Sequence, residues 1–271
     1  MKELYFSHIP KTAGRTINDI FKEISKKLKK NIYIGEEYFY QVILKKHKYY
    51  YENFLQDKYL RKIVKFDNDT YKYDKTKNHW NIKFWHIPLS FWKDEILLKY
   101  KKEKIIFIVV RNPYDRIISD FKFWIKFYKL HKNSKTEKFY SNLLSMIEDI
   151  YENDYQLTSV NLNKFVNKVL TKKYKYSLDG HLIPQHKYAY TVIDNKLIKI
   201  PNEILRFENL ENDFIKFKKK YIPLITNKAI KETHLNPTQN KDLNNQSLSL
   251  KNKNKIYNYY KLDFKIFDYP K

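Results

Sequence analysis

Ile105-Ile106-Phe107-Ile108-Val109-Val110 runs directly into Arg111-Asn112-Pro113-Tyr114-Asp115-Arg116-Ile117-Ile118-Ser119. The first six residues are continuously apolar and mostly β-branched, the pattern of a parallel strand buried on both faces. Arg111-Asn112-Pro113 ends that run. From Tyr114 to Tyr128 the apolar residues Ile117, Ile118, Phe121, Trp124, Ile125 and Tyr128 recur at helical spacing. Pro113 suits the first helical turn, where a missing N–H costs nothing. The reading is strand, short loop, helix.

The same unit occurs at the N-terminus. Leu4 to Ser7 reads as a strand, Pro10 to Gly14 as a loop, and Arg15 to Leu28 as a helix with Ile17, Ile20, Phe21, Ile24 and Leu28 on one side. Between and beyond these units the patterns predict a strand over Ile82–His86 and helices over Phe91–Tyr100, Glu137–Tyr151 and Thr158–Lys172. They also predict a hairpin of Thr191–Ile193 with Leu197–Ile200 around Asp194-Asn195, and a strand over Ile204–Phe207. A helix over Leu210–Lys220, a polar loop over Asn236–Leu248 and one C-terminal helix over Lys251–Phe267 complete the reading. Repeated strand–loop–helix units predict an α/β fold: a P-loop-like parallel sheet with helices on both faces, as a single domain over 1–271 with helical additions. Ligands in such sheets sit at the carboxyl ends of the strands.

Composition narrows the function. The chain has 271 residues, a formal net charge of +24, no cysteine, and only three glycines, Gly14, Gly35 and Gly180. Five of its 54 basic residues are arginine: Arg15, Arg61, Arg111, Arg116 and Arg206. Without cysteine, disulfides and thiolate metal sites are excluded. No ligand cluster has a metal-binding spacing, so no metal is expected. No apolar run reaches the length of a membrane-spanning helix, and the N-terminal apolar stretch is too short for a secretory signal. A cytoplasmic protein is expected. The positive charge is spread along the chain, which suits acidic small molecules or glycans without requiring a nucleic acid.

Two segments carry chemistry. His8-Ile9-Pro10-Lys11-Thr12-Ala13-Gly14-Arg15-Thr16 joins a strand to a helix. Helix N-terminal N–H groups bind phosphate-like anions, Lys11 adds a point charge, Gly14 allows close approach, and Thr12 and Thr16 add hydroxyls. The ending of a Walker A loop is missing, and an ordinary turn is the alternative. In the second segment Arg111 and Ser119, eight residues apart, suit a phosphate monoester. Its alternative is a surface pair of Asp115 with Arg116 and a solvent-facing Ser119. His86 is the candidate general base, because neutral imidazole is matched to that role near pH 7; a histidine packed beside Trp85 is its alternative. His181 and Gln185 read as acceptor-facing or as packing near the site, and His8 as bracing the loop or the cofactor.

Taken together the two segments resemble the sulfotransferases that use 3′-phosphoadenosine 5′-phosphosulfate (PAPS), most closely the carbohydrate-type branch. His8–Thr16 resembles that family's 5′-phosphosulfate loop, and Arg111–Ser119 its 3′-phosphate segment. Further stretches agree in order: Trp85-His86-Ile87-Pro88, His181-Leu182-Ile183-Pro184-Gln185, Ile204 to Leu210, His234-Leu235-Asn236, and the ending Ile256-Tyr257 to Tyr269. The resemblance implies PAPS as donor and adenosine 3′,5′-bisphosphate as product. It further implies a glycan hydroxyl as acceptor, Lys11 and His86 as catalytic residues, and His8, Lys11, Thr12, Ala13, Gly14, Arg15, Thr16, Arg111 and Ser119 around the cofactor. Two positions depart from it. Ala13 stands where a second glycine is usual, and Arg15 where a small residue is common. A P-loop kinase and a non-catalytic polyanion- or nucleic-acid-binding protein are the competing readings. The first needs a Gly-Lys-Ser/Thr loop and an acidic Mg²⁺ ligand, neither of which is evident. The second needs no intact loop and predicts steeply salt-dependent binding.

Overall fold

The computed structural model describes residues 3–28, 63–66, 69–72, 86–133, 138–152, 154–171, 174, 178–223 and 243–271. In chain order the elements are β1 (Glu3–Phe6), α1 (Gly14–Leu28), β2 (Ile63–Phe66), β3 (Asp69–Lys72), α2 (Asp94–Glu103), β4 (Lys104–Val110), α3 (Pro113–His131), α4 (Lys138–Tyr151) and α5 (Ser159–Val169). They continue with α6 (His186–Ala189), β5 (Tyr190–Ile193), β6 (Lys196–Lys199), β7 (Glu203–Arg206), α7 (Leu210–Tyr221), α8 (Leu250–Tyr259) and α9 (Lys261–Ile266). The chain divides into two compact units. One comprises Met1–His79, Lys83–Val110 and Gln185–Asn236; the other comprises Trp80–Ile82, Arg111–Pro184 and Pro237–Lys271.

The first unit is built on the parallel sheet β1-β4-β7. β4 is the central strand, pairing Phe6 with Phe107 on one side and Val110 with Arg206 on the other. Ile106 to Val110 are all fully buried, as the unbroken apolar run requires. Strand alternation sends Leu4, Phe6, Phe107, Val109 and Leu205 to one face. There they pack with Ile17, Ile20, Phe21 and Ile24 of α1 and Phe214 and Phe217 of α7. On the other face Tyr5 meets Trp92 and Tyr100 edge-on. Helices therefore cover both faces, as expected from the sequence. The β5-β6 hairpin turns at Asp194 and Asn195 with φ of 49° and 60°, the paired left-handed turn that matches strand twist.

The second unit is helical. Its core joins Ile117, Phe121 and Trp124 of α3 to Leu143 and Ile147 of α4, Leu162 and Phe165 of α5, and Ile256 and Phe264 of the C-terminal helices. Thr158 caps α5, its hydroxyl accepting from Asn161 N at 3.2 Å.

Several elements differ from their sequence patterns. The predicted C-terminal helix is two helices, because Tyr260 leaves the helical conformation (φ −107°, ψ 25°). The helix predicted over Phe91–Tyr100 begins later, at Asp94, after a single 3₁₀ turn over Leu89–Phe91. Of the strand predicted over Ile82–His86, residues 82–85 lie outside the described residues, and His86 is in a turn rather than a strand. His234–Asn236 also lie outside the described residues. The β2-β3 hairpin had no clear signal in the sequence.

Candidate active site

In the first unit the site grows from the end of β1. Ser7 N still donates to Phe107 O at 3.0 Å, which carries the strand geometry one residue further. The His8 ring then stacks on Phe6 at 5.5 Å and meets the His86 ring edge-on at 4.7 Å. Gly14 completes this packing. A Cβ there would fall 1.8 Å from His8 Nε2, so any side chain at 14 would evict the ring. The sequence reading of His8 as a loop brace and of Gly14 as a close-approach residue meet in this one contact.

Between them the backbone is unusual. Lys11 and Ala13 are left-handed, with φ of 66° and 79°. Alternation of left- and right-handed residues is a backbone pattern that can turn successive N–H groups toward one point, as in anion-binding concavities. A left-handed conformation also explains why glycine is favoured at 13, and why Ala13 carries strain there. Ala13 O accepts the first helical bond, from Ile17 N at 3.0 Å. Alanine at the cap position has no side-chain acceptor to offer the N–H groups of the first turn of α1.

Thr12 and Arg15, two residues expected around the cofactor, have different surroundings. Thr12 is fully buried, and its hydroxyl donates to Ile9 O at 2.8 Å. Its proton therefore braces the loop. Arg15 points to solvent with 89% of its side chain exposed, and its Nε lies 4.0 Å from Asp19 Oδ2. Thr16 is half-buried on the first turn. His86 is buried, and its carbonyl accepts from the Tyr188 hydroxyl at 2.5 Å. Tyr188 is itself fully buried, so the backbone at His86 is anchored. Gln185 is completely buried at the N-terminus of α6.

In the second unit Arg111 follows β4 directly and Asn112 caps α3. Asn112 Oδ1 accepts from Tyr114 N at 2.9 Å, with Pro113 at the first helical position. The surface-pair alternative for Arg116 is corrected by its burial. Only 2% exposed, it donates from Nη2 to His181 O at 2.6 Å and lies over the Tyr260 ring. Ser119 is likewise buried, not solvent-facing. His181 Nδ1 lies 2.5 Å from Asp120 Oδ1, with the ring between Phe123 and Trp124. Burial, then the Asp120 charge, raises the Tyr151 phenol well above its ordinary range. The Tyr151 hydroxyl donates to Phe121 O.

Asp120, Arg116 as an internal strut, and Tyr188 were not singled out from the sequence. A weak signal existed for the first two. Positions 116, 120 and 124 share one helix face, and an acid and a base on an apolar face call for partners.

A family model described as the sulfotransferase family matches residues 2–270. No curated protein and no solved structure matches the chain. The chain belongs to the sulfotransferase family and is a PAPS-dependent sulfotransferase.

Proposed function

We propose that this sulfotransferase sulfates a hydroxyl of a carbohydrate, and that 1–271 acts as one catalytic domain. The observation that carries the site assignment is the left-handed pair Lys11 and Ala13 ahead of α1. That backbone pattern, the helix N-terminus and the charge of Lys11 lie together in one short loop and suit an anion. That donor set fits a phosphosulfate, which offers acceptor oxygens only. PAPS supplies an activated sulfuryl group on a phosphate oxygen that leaves as a stable anion.

The residues of the chain divide the work. The 8–16 loop holds the 5′-phosphosulfate, chiefly through backbone N–H groups, Lys11 and Thr16. Lys11 meets the charge that grows on the leaving oxygen, where a preorganised donor is worth most. Arg111 and Ser119 hold the 3′-phosphate, Arg111 by charge-assisted hydrogen bonds. His86 takes the proton of the acceptor hydroxyl, its ring held edge-on by His8. His181 and Gln185 face the acceptor. The chain needs no metal in this scheme, because positioning and fixed charge carry the transfer. The +24 net charge favours an acidic glycan over a neutral one. A cytoplasmic location is part of this reading, supported by the absence of cysteine. No described helix is long and apolar enough to cross a membrane.

The test is incubation with ³⁵S-labelled PAPS and a panel of oligosaccharides and small alcohols and phenols. Label is expected on an oligosaccharide. Transfer confined to non-carbohydrate hydroxyls would overturn the acceptor class.

A further inference from the structure

His86, the proposed general base, stands in a turn outside the described strands. A residue inside a strand has its backbone held by ladder hydrogen bonds. A buried carbonyl outside a ladder must find its partner elsewhere. The Tyr188 hydroxyl supplies it, donating to His86 O at 2.5 Å from 102 positions away in sequence.

Tyr188 is itself placed by the fold. It is fully buried in the single turn of α6, where its N–H donates to Gln185 O at 2.9 Å. The next residue, Ala189, is equally buried, and its carbonyl accepts from Ile200 N at 2.7 Å, at the base of the β5-β6 hairpin. The chain after His86 is stiff as well. Pro88 opens the 3₁₀ turn over Leu89–Phe91, which is fully buried, and Phe91 N donates to Pro88 O at 2.9 Å. The buried ammonium of Lys187 lies over the Phe91 ring at 6.0 Å. Through Tyr188 and Lys187, α6 grips the 86–91 segment at two points. The imidazole of His86 meets the His8 ring edge-on at 4.7 Å.

We propose that Tyr188 is a positioning residue for sulfuryl transfer. Its hydroxyl fixes the His86 carbonyl, and through it the place at which the imidazole meets the acceptor hydroxyl. A general base works only within hydrogen-bond reach of the proton it takes, about 2.6–3.2 Å. A displacement of about 1 Å costs on the order of 10²-fold in rate. The carbonyl and the ring belong to one residue, so a shift of the first moves the second. Tyr188 acts on the reaction only through His86. The proposal rests on the reading of His86 as the base.

The full chain carrying Tyr188→Phe keeps the buried ring and loses only the hydroxyl. With ³⁵S-labelled PAPS and whichever panel compound takes label, kcat is expected to fall about tenfold while KM for PAPS stays within about twofold. An unchanged kcat overturns the proposal, as does a loss carried by KM alone. In a His86→Gln background Tyr188→Phe should cost little more, because no imidazole is left to position. A second loss of equal size marks a merely structural hydroxyl and overturns the proposal. If His86→Gln alone leaves transfer intact, the reading of His86 as base falls, and the proposal with it. A strong dependence on His86 beside an indifferent Tyr188 refutes the proposal alone. The hydrogen bond is also read without any acceptor, in chain ¹³C-labelled at the histidine carbonyls and saturated with adenosine 3′,5′-bisphosphate. There Tyr188→Phe should move the His86 carbonyl signal upfield, as loss of an accepted hydrogen bond requires; an unmoved signal overturns the proposal.

Discussion

The two strand-to-helix turns solve one problem in opposite ways. Between β1 and α1 the chain runs through residues 7–13, with Lys11 and Ala13 left-handed and a cap residue that has no acceptor. Between β4 and α3 it takes only Arg111 and Asn112, neither of them left-handed, and Asn112 caps the helix. The first turn carries backbone strain at Lys11 and Ala13, and the proposed function gives its N–H groups to a ligand. In the second, Pro113 brings no N–H and Asn112 occupies that of Tyr114. Much of the backbone donor capacity is committed, and in the proposed function anion binding falls to the Arg111 side chain. On the proposed reading, one turn binds with its backbone and the other with a side chain.

That contrast breaks first at Lys11. Lys11→Ala should lower the rate of ³⁵S transfer about 10²–10³-fold with an unchanged melting temperature. Turnover near that of the unmutated chain would mean that backbone groups alone suffice in the first turn. The second turn is probed by Arg111→Ala. Affinity for adenosine 3′,5′-bisphosphate should fall about 10–100-fold by calorimetry, while affinity for adenosine 5′-phosphate should hardly move. Equal losses for both ligands would refute the 3′-phosphate assignment.

Stability measurements sharpen the same comparison. Asn112→Ala removes the cap and should cost about 1 kcal/mol, lowering the melting temperature by about 2–4 °C. No loss would show that the second helix start does not depend on its cap. Ala13→Gly has the smallest expected effect and the opposite sign. It relieves about 1–2 kcal/mol of left-handed strain against about 0.5–1 kcal/mol of added chain entropy. A net gain of about 0.5 kcal/mol, or roughly 1–2 °C, should appear in thermal denaturation. A drop would mean that the left-handed geometry at 13 is not strained.

Much of the sheet was legible because its signals are local. Ile105–Val110 can only be a strand buried on both faces, and it is the middle strand of three. Asn112-Pro113 announces a helix start by its own chemistry. The Asp194-Asn195 turn was visible for the same reason, since both residues tolerate the left-handed region. Ala13 stood out as a departure from the family pattern, and its positive φ supplies the physical reason why glycine is the usual residue there.

Other residues misled because their partners are local in space or bonded to backbone that sequence does not display. Thr12 reads as a ligand hydroxyl until Ile9 O is seen to hold it. The alternative of an Asp115–Arg116 surface pair stands until the Arg116 guanidinium is found on the His181 carbonyl. Arg15 extends into solvent beside Asp19, a setting its sequence position does not display.

Sequence alone determined the parallel α/β architecture, the two strand-to-helix turns and the family, because periodicity, caps and turn residues act over a few positions. Only the tertiary structure decided which polar groups are spent on the fold and which remain for chemistry. The pairing of Asp120 with His181 and the strut from Arg116 join residues more than sixty positions apart. Such contacts leave no periodic trace. They arise when burial removes water from both partners at once, and each then answers the need of the other.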